Sequence, residues 1–324
     1  MLKNNVLENY FNKIKAAYEK NLFYLPLDEL GHFFERLYKV TGDKKYLNIL
    51  SYYFYINKVP ALKKSLFKLR NKTYSLNQPK KLPRNSRARI RRTLYKKRPE
   101  IEFFNCLFID LLFAKITHLD KGVLRKEIPE IIKLLKKIDF EKIYLNKEAV
   151  IRDNSFTFNS AFILKYLGIQ DFTDKILALF KLIYFDDKMR LKKPVLRYEY
   201  LSLIYSMTHI IISDSGFYER FVRKHHWIID YFAKNLDEIV KKVTPDILSE
   251  VGLCFRLCKK EAFYPKAFKQ TLNYLLKVVD FTKLNNKHYV IKKEHTNSIL
   301  LLLFNKKFKL HPGPNLSKHS FLKD

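Results

Sequence analysis

Three residues of the types that move protons, His32, Glu250 and His295, stand far apart in the chain. A histidine changes charge near neutral pH, and a carboxyl group beside it completes a general acid–base pair. Arg152 and Arg197 are suited to a carboxylate or phosphate, and Tyr198, Tyr200, Asp153 and Asn297 to a polar ligand around them. Cleaving an acidic sugar chain by β-elimination needs a base, an acid and a cation to neutralise the carboxylate. His, Tyr and Arg are those types. Hydrolysis instead needs two carboxylates across the bond, and Glu250 has candidate partners in Asp153, Asp246 and Glu294. Purely structural roles compete with these. Asp28, Asp153 and Asp246 occupy N-cap-like positions. A histidine in an apolar helix is commonly a hydrogen-bonded core residue. Glu250, in PDILSEVG, fits a capping arrangement begun by Thr244 or Asp246.

Other constellations carry less. Cys254 and Cys258 share a helix face in GLCFRLC, but a lone CxxxC is a poor metal signal and buried cysteines behave as small hydrophobes. No metal and no cofactor is expected. SDSG at Ser213 resembles a nucleophile fragment but sits where a turn belongs. No Walker loop, dinucleotide fingerprint or HExxH is present.

The elements that must position these residues announce themselves as a repeat. Segments from Asp153, Glu199 and Pro245 each open with about fourteen largely apolar residues, turn through a short polar stretch, and reach an aromatic. Those aromatics, Phe172, Tyr218 and Tyr264, are 46 residues apart twice running. Segments from Leu27, Ile101 and Glu294 fit the same form, which predicts about six helical hairpins over residues 27–310. Only seven glycines occur, roughly a third of the usual share of about 7%, so hairpin-rich sheets are disfavoured. The first helix of each pair reads apolar on most faces, as a helix surrounded by others does. The second is amphipathic and Lys-rich. Laying the turns in register puts His32 level with Phe158, Ile204, Glu250 and Thr296, with His295 one step earlier.

This pattern resembles the six-hairpin α/α-toroid superfamily, which includes glycoside hydrolases, polysaccharide lyases and terpenoid-cyclase-like proteins. The expected fold is all-α, an α/α toroid within a single domain, with an open α-solenoid as the alternative. The resemblance is architectural and brings no family-specific catalytic motif. It implies a cleft at the inner-helix starts, where unpaired N–H groups and the helix dipole also favour anions.

The formal charge is +31, from 63 basic against 32 acidic residues, which calls for an anionic partner: acidic saccharide, nucleic acid or acidic lipid surface. Three cysteines make no disulfide framework. The N-terminal stretch lacks the apolar core of a signal peptide, and no apolar run reaches the roughly 18 residues of a membrane span. A cytoplasmic protein is therefore expected. The charge peaks in an insertion over residues 71–99, where RNSRARIRRTLYKKR holds six of the fifteen arginines and has the makings of one short basic helix. Arg84, Arg87, Arg89, Arg91 and Arg92 are its candidate polyanion contacts. A solvated insertion is the competing account. In a ring the segment enters an inner helix at Glu100, so it guards the same rim as the pocket. Two functions are open: an enzyme acting on an anionic saccharide-like or phosphorylated ligand, or a non-catalytic helical-repeat protein binding nucleic acid or another acidic macromolecule.

Overall fold

The computed structural model describes residues 4–74, 86–186, 197–306 and 308–323. Among them the chain is all-helical, with seventeen α-helices and no strand. It divides into two compact units, Met1–Asn57 with Phe217–Leu322, and Lys58–Gly216 with Lys323–Asp324. The first unit begins with α1 (Asn4–Lys20), α2 (Leu27–Thr41) and α3 (Tyr46–Tyr53). The second holds α4 (Val59–Arg70), α5 (Ser86–Lys97), α6 (Pro99–Ile116), α7 (Glu127–Leu135), α8 (Phe140–Tyr144), α9 (Ser155–Tyr166), α10 (Thr173–Phe185) and α11 (Arg197–Asp214). The chain then returns to the first unit with α12 (His226–Lys234), α13 (Leu236–Lys242), α14 (Pro245–Leu257), α15 (Pro265–Val278), α16 (Lys287–Lys292) and α17 (Glu294–Phe304).

Local chemistry sets the helix ends. Proline opens α6, α14 and α15, where its fixed φ fits and its missing N–H is no loss. Left-handed glycines follow α2, α9 and α11 at Gly42, Gly168 and Gly216, the turns that the repeat requires. Gly42 is the tightest. Its φ is +67°, its N–H bonds to the Tyr38 carbonyl at 2.7 Å, and an added Cβ would lie 2.7 Å from the His311 ring. Three N-cap expectations are corrected. Thr244 caps α14 and Asn154 caps α9, while α2 follows Pro26. Asp246 and Asp28 each lie one residue inside the helix and Asp153 one residue before the cap, which frees all three for other partners.

In the first unit α17 is the central helix and packs on α1, α2 and α14; α3 covers α2 and α15 covers α14. The reason is visible in its sequence: Ile299–Phe304 is apolar on every face and wholly buried. Each of those side chains stabilises the unit by about 1.5–3 kcal/mol before entropy is counted. The C-terminal stretch folds back over the far end of these helices. Arg256 donates to the Leu303 and Asn305 carbonyls at 2.6 Å each and lies 4.2 Å from the Phe308 ring. The His311 N–H pairs with the Lys39 carbonyl at 2.8 Å.

In the second unit α9 lies between α6 and α11, with α10 outside α9 and α4 against α6 and α7. The basic helix α5 packs on α6, α11 and the π-helical turn Ala149–Asp153. Each unit by itself thus rows up three of the apolar helices: α14, α17, α2 in one and α6, α9, α11 in the other. The hairpin pattern loosens once. Phe172 and Tyr264 directly precede α10 and α15, but Tyr218, whose buried ring lies under the Arg36 guanidinium at 5.6 Å, is followed by irregular chain until α12. Among the described residues no helix is long and apolar enough to cross a membrane.

Candidate functional site

The candidate catalytic residues meet in the first unit, near the N-terminal turns of α2, α14 and α17. On α2, His32 Nδ1 lies 3.3 Å from both carboxylate oxygens of Glu294. One turn on, Arg36 reaches the other ring nitrogen, Nε2, and also the Ser298 hydroxyl. A guanidinium keeps its protons, so it donates, and Nε2 must accept. The ring proton therefore sits on Nδ1 and is donated to Glu294. Burial, and then Arg36, push the His32 pKa down to about 4 against the opposing pull of Glu294. Burial works to raise the Glu294 carboxyl, but His32 and Arg36 beside it outweigh burial and hold it below its ordinary value.

On α17, His295 stacks beside His32 with ring centroids 5.7 Å apart and planes inclined by 19°. Its Nδ1 is 2.7 Å from Asp246 Oδ1, which also accepts from the Thr296 hydroxyl at 3.2 Å. Its Nε2 is 3.8 Å from Glu250 Oε1. Asp246 and Glu250 are one turn apart on α14, so the imidazole spans the two carboxylates. Burial would lower the His295 pKa; the charge and hydrogen bond of Asp246 outweigh that and raise it. Two adjacent imidazoles are thus driven in opposite directions, His32 to the neutral form and His295 toward the cation. Glu250 is buried at 1% exposure, while the His295 side chain keeps 38% of its surface open. Of His295 and Glu250, it is His295 that a ligand can touch, and the His32 side chain beside it is also 30% open. The cluster sets three carboxylates, Asp246, Glu250 and Glu294, against Arg36 and the titrating His295.

The other candidates are placed elsewhere. Asn297 is wholly buried and donates to the Tyr18 hydroxyl at 2.9 Å, which in turn donates to the Val290 carbonyl. Asp153 belongs to the second unit and is also wholly buried. It accepts from Tyr95 at 2.6 Å, from Asn105 at 2.8 Å and from Thr157 at 3.4 Å. Asn105 accepts in turn from Tyr144 and Ser160. Burial raises the Asp153 carboxyl despite those donors. This network ties α5, α6 and α9 together. Tyr200 is buried, and Tyr198 is half-buried, its hydroxyl donating to Glu199 at 3.2 Å. Arg152 pairs with Glu148 at 3.3 Å and donates to Thr93 on α5 at 2.9 Å.

Much of the basic segment is a docked helix. Leu94 and Tyr95 of α5 are buried, and Arg91 lies 4.4 Å from the Phe156 ring. Arg89 is exposed and Arg92 half-buried. Arg84, and the side chains of Arg87 and Arg197, lie outside the described residues. The residues that sequence reasoning passed over are Arg36 and Ser298. Arg36 stands four residues from His32, a spacing that shares a helix face.

The fold is all-helical, and its first unit carries an imidazole–carboxylate cluster. The chain belongs to the family described as Domain of unknown function (DUF3541), whose pattern covers residues 7–324. No curated protein and no solved structure matches it.

Proposed function

We propose that the protein is an enzyme of α/α-toroid architecture that cleaves an anionic saccharide-like ligand by acid–base catalysis at His295. The carrying observation is convergence: His32, Glu250 and His295 come from three helices far apart in sequence and gather around one pair of stacked imidazoles. His295 exchanges its Nε2 proton with the ligand, Asp246 orients and charges the ring through Nδ1, and Glu250, 3.8 Å from Nε2, stabilises the imidazolium from the buried side. Hydrolysis suits the cluster better than β-elimination. It has carboxylates in surplus, and its one guanidinium, Arg36, is spent on His32 and Ser298. The overall positive field draws an acidic chain in, though the cluster does not itself neutralise it. The test is turnover of uronate-containing and phosphorylated oligosaccharides, followed by reducing ends and by the near-ultraviolet absorbance of an elimination product. Replacing His295 by Asn should lower kcat by about 10²–10⁴-fold with KM nearly unchanged. An inert wild type, or an unaffected His295→Asn protein, overturns the reading.

The rows α14–α17–α2 and α6–α9–α11 support the toroid, since each supplies three neighbouring inner helices in the order that a ring needs. A closed ring of this length should show a radius of gyration near 20 Å by small-angle scattering; an open array would exceed it clearly.

The docked helix α5 favours a second reading, a non-catalytic protein that binds nucleic acid or another acidic macromolecule through Arg89, Arg91 and Arg92. It predicts retention of labelled RNA at low salt that falls steeply as salt rises.

A further inference from the structure

We infer that the second unit holds a separate binding site for a small acidic sugar, in a cavity of about 620 Å³ under the basic helix. That volume lies within the range of roughly 300–1,000 Å³ that ligand pockets occupy. Three stretches of chain build it: α5 with Arg89, Ile90 and Thr93, the turn before α9 with Lys147, Glu148, Ile151 and Arg152, and the start of α11 with Tyr198 and Glu199.

Among the described residues the lining carries three cations and two carboxylates, one positive charge in excess. Arg152 is held in place by Glu148 at 3.3 Å and by Thr93 at 2.9 Å, so its guanidinium is oriented before a ligand arrives. The excess charge matches one carboxylate. The two acids argue against a bare dianion such as phosphate, which they would repel. They are good acceptors for sugar hydroxyls. Ile90, Ile151 and the Tyr198 ring supply the apolar surface on which a sugar ring lies. A carboxylate-bearing monosaccharide or disaccharide satisfies all of these together. The site is distinct from the His295 cluster and does not depend on any reaction there.

The test is calorimetric titration of the full-length protein with glucuronate, galacturonate, glucose 6-phosphate, glucose and inorganic phosphate. Both uronates should bind, glucose should bind at least ten-fold more weakly, and phosphate alone should not bind. Lys147→Ala removes an exposed side chain that has no hydrogen-bond or ion-pair partner among the described residues, and Arg152→Gln removes the oriented guanidinium. Each should weaken uronate binding at least ten-fold while circular dichroism stays unchanged. His295→Asn should bind as the wild type does, which separates failure here from failure of the proposed reaction. Absence of uronate binding, binding indifferent to Lys147→Ala, or phosphate binding as tightly as uronate each overturns the proposal.

Discussion

At the residue scale the two histidines make opposite demands on pH. His32 has a folded pKa of about 4 against roughly 6.5 when unfolded. Between those values the unfolded chain binds the proton and the folded one does not. Acidification through that window therefore destabilises the fold, by a ceiling of about 3 kcal/mol. Urea unfolding between pH 7 and pH 4 should show this loss in the wild type, and His32→Gln should flatten it. His295 runs the other way. Its folded pKa is raised, so its contribution is complete below the unfolded value and disappears as pH rises through the folded one. Asp246→Asn should remove that alkaline loss. The depth of His32, Glu250 and His295 was legible in the sequence because the hairpin spacing measures position along a helix. Their hydrogen bonds were not. Spacing says that Arg36 shares a face with His32, but the direction of a guanidinium is decided by Ser298, which arrives from α17. Asp246 looked like a cap because aspartate beside a helix start usually is one; Thr244 took that place.

At the level of elements, α5 is an arginine-rich helix whose buried anchors are Leu94 and Tyr95. Tyr95→Phe keeps the ring and removes the donor to a wholly buried carboxylate, and that should cost about 1–3 kcal/mol. A lower thermal midpoint and faster tryptic cutting within α5 would register it. Leu94 was legible as part of a small apolar edge with Ile90, but ten basic residues in nineteen hid the Tyr95 anchor, since such density reads as a solvated insertion. The partner was hidden too: Asn105 stands inside the apolar run IEFFNCLF, where one polar residue passes for an accident until Tyr144, Ser160 and Asp153 are seen around it. The turn after α2 gives a second prediction. Gly42→Ala forces a side chain into left-handed backbone and against His311, and should cost about 1–3 kcal/mol in urea unfolding.

For the whole molecule, the hairpin period foretold long apolar helices ending in short polar turns, and left-handed glycines at Gly42, Gly168 and Gly216 close three of them. It did not choose between a closed ring and an open array, because both stack the same hairpin and differ only in a small rotation at each step. The division into two units was not legible either. No proline-rich or glycine-rich linker marks it, and the π-helical turn Phe54–Lys58 carries the chain from α3 to α4 without a break in helix. The first unit is built from both ends of the chain, with His32 and its partner Glu294 separated by 262 residues. During synthesis at about 5–20 residues per second, α2 waits roughly 13–50 s for α17 to emerge. Residues 58–216 are complete well before then. Phe33, Phe34 and Leu37, fully sheltered in the finished protein, pass that interval without their cover. Until α17 emerges the apolar face of α2 thus lacks its cover, a demand on chaperones that the stability of the finished fold does not reveal.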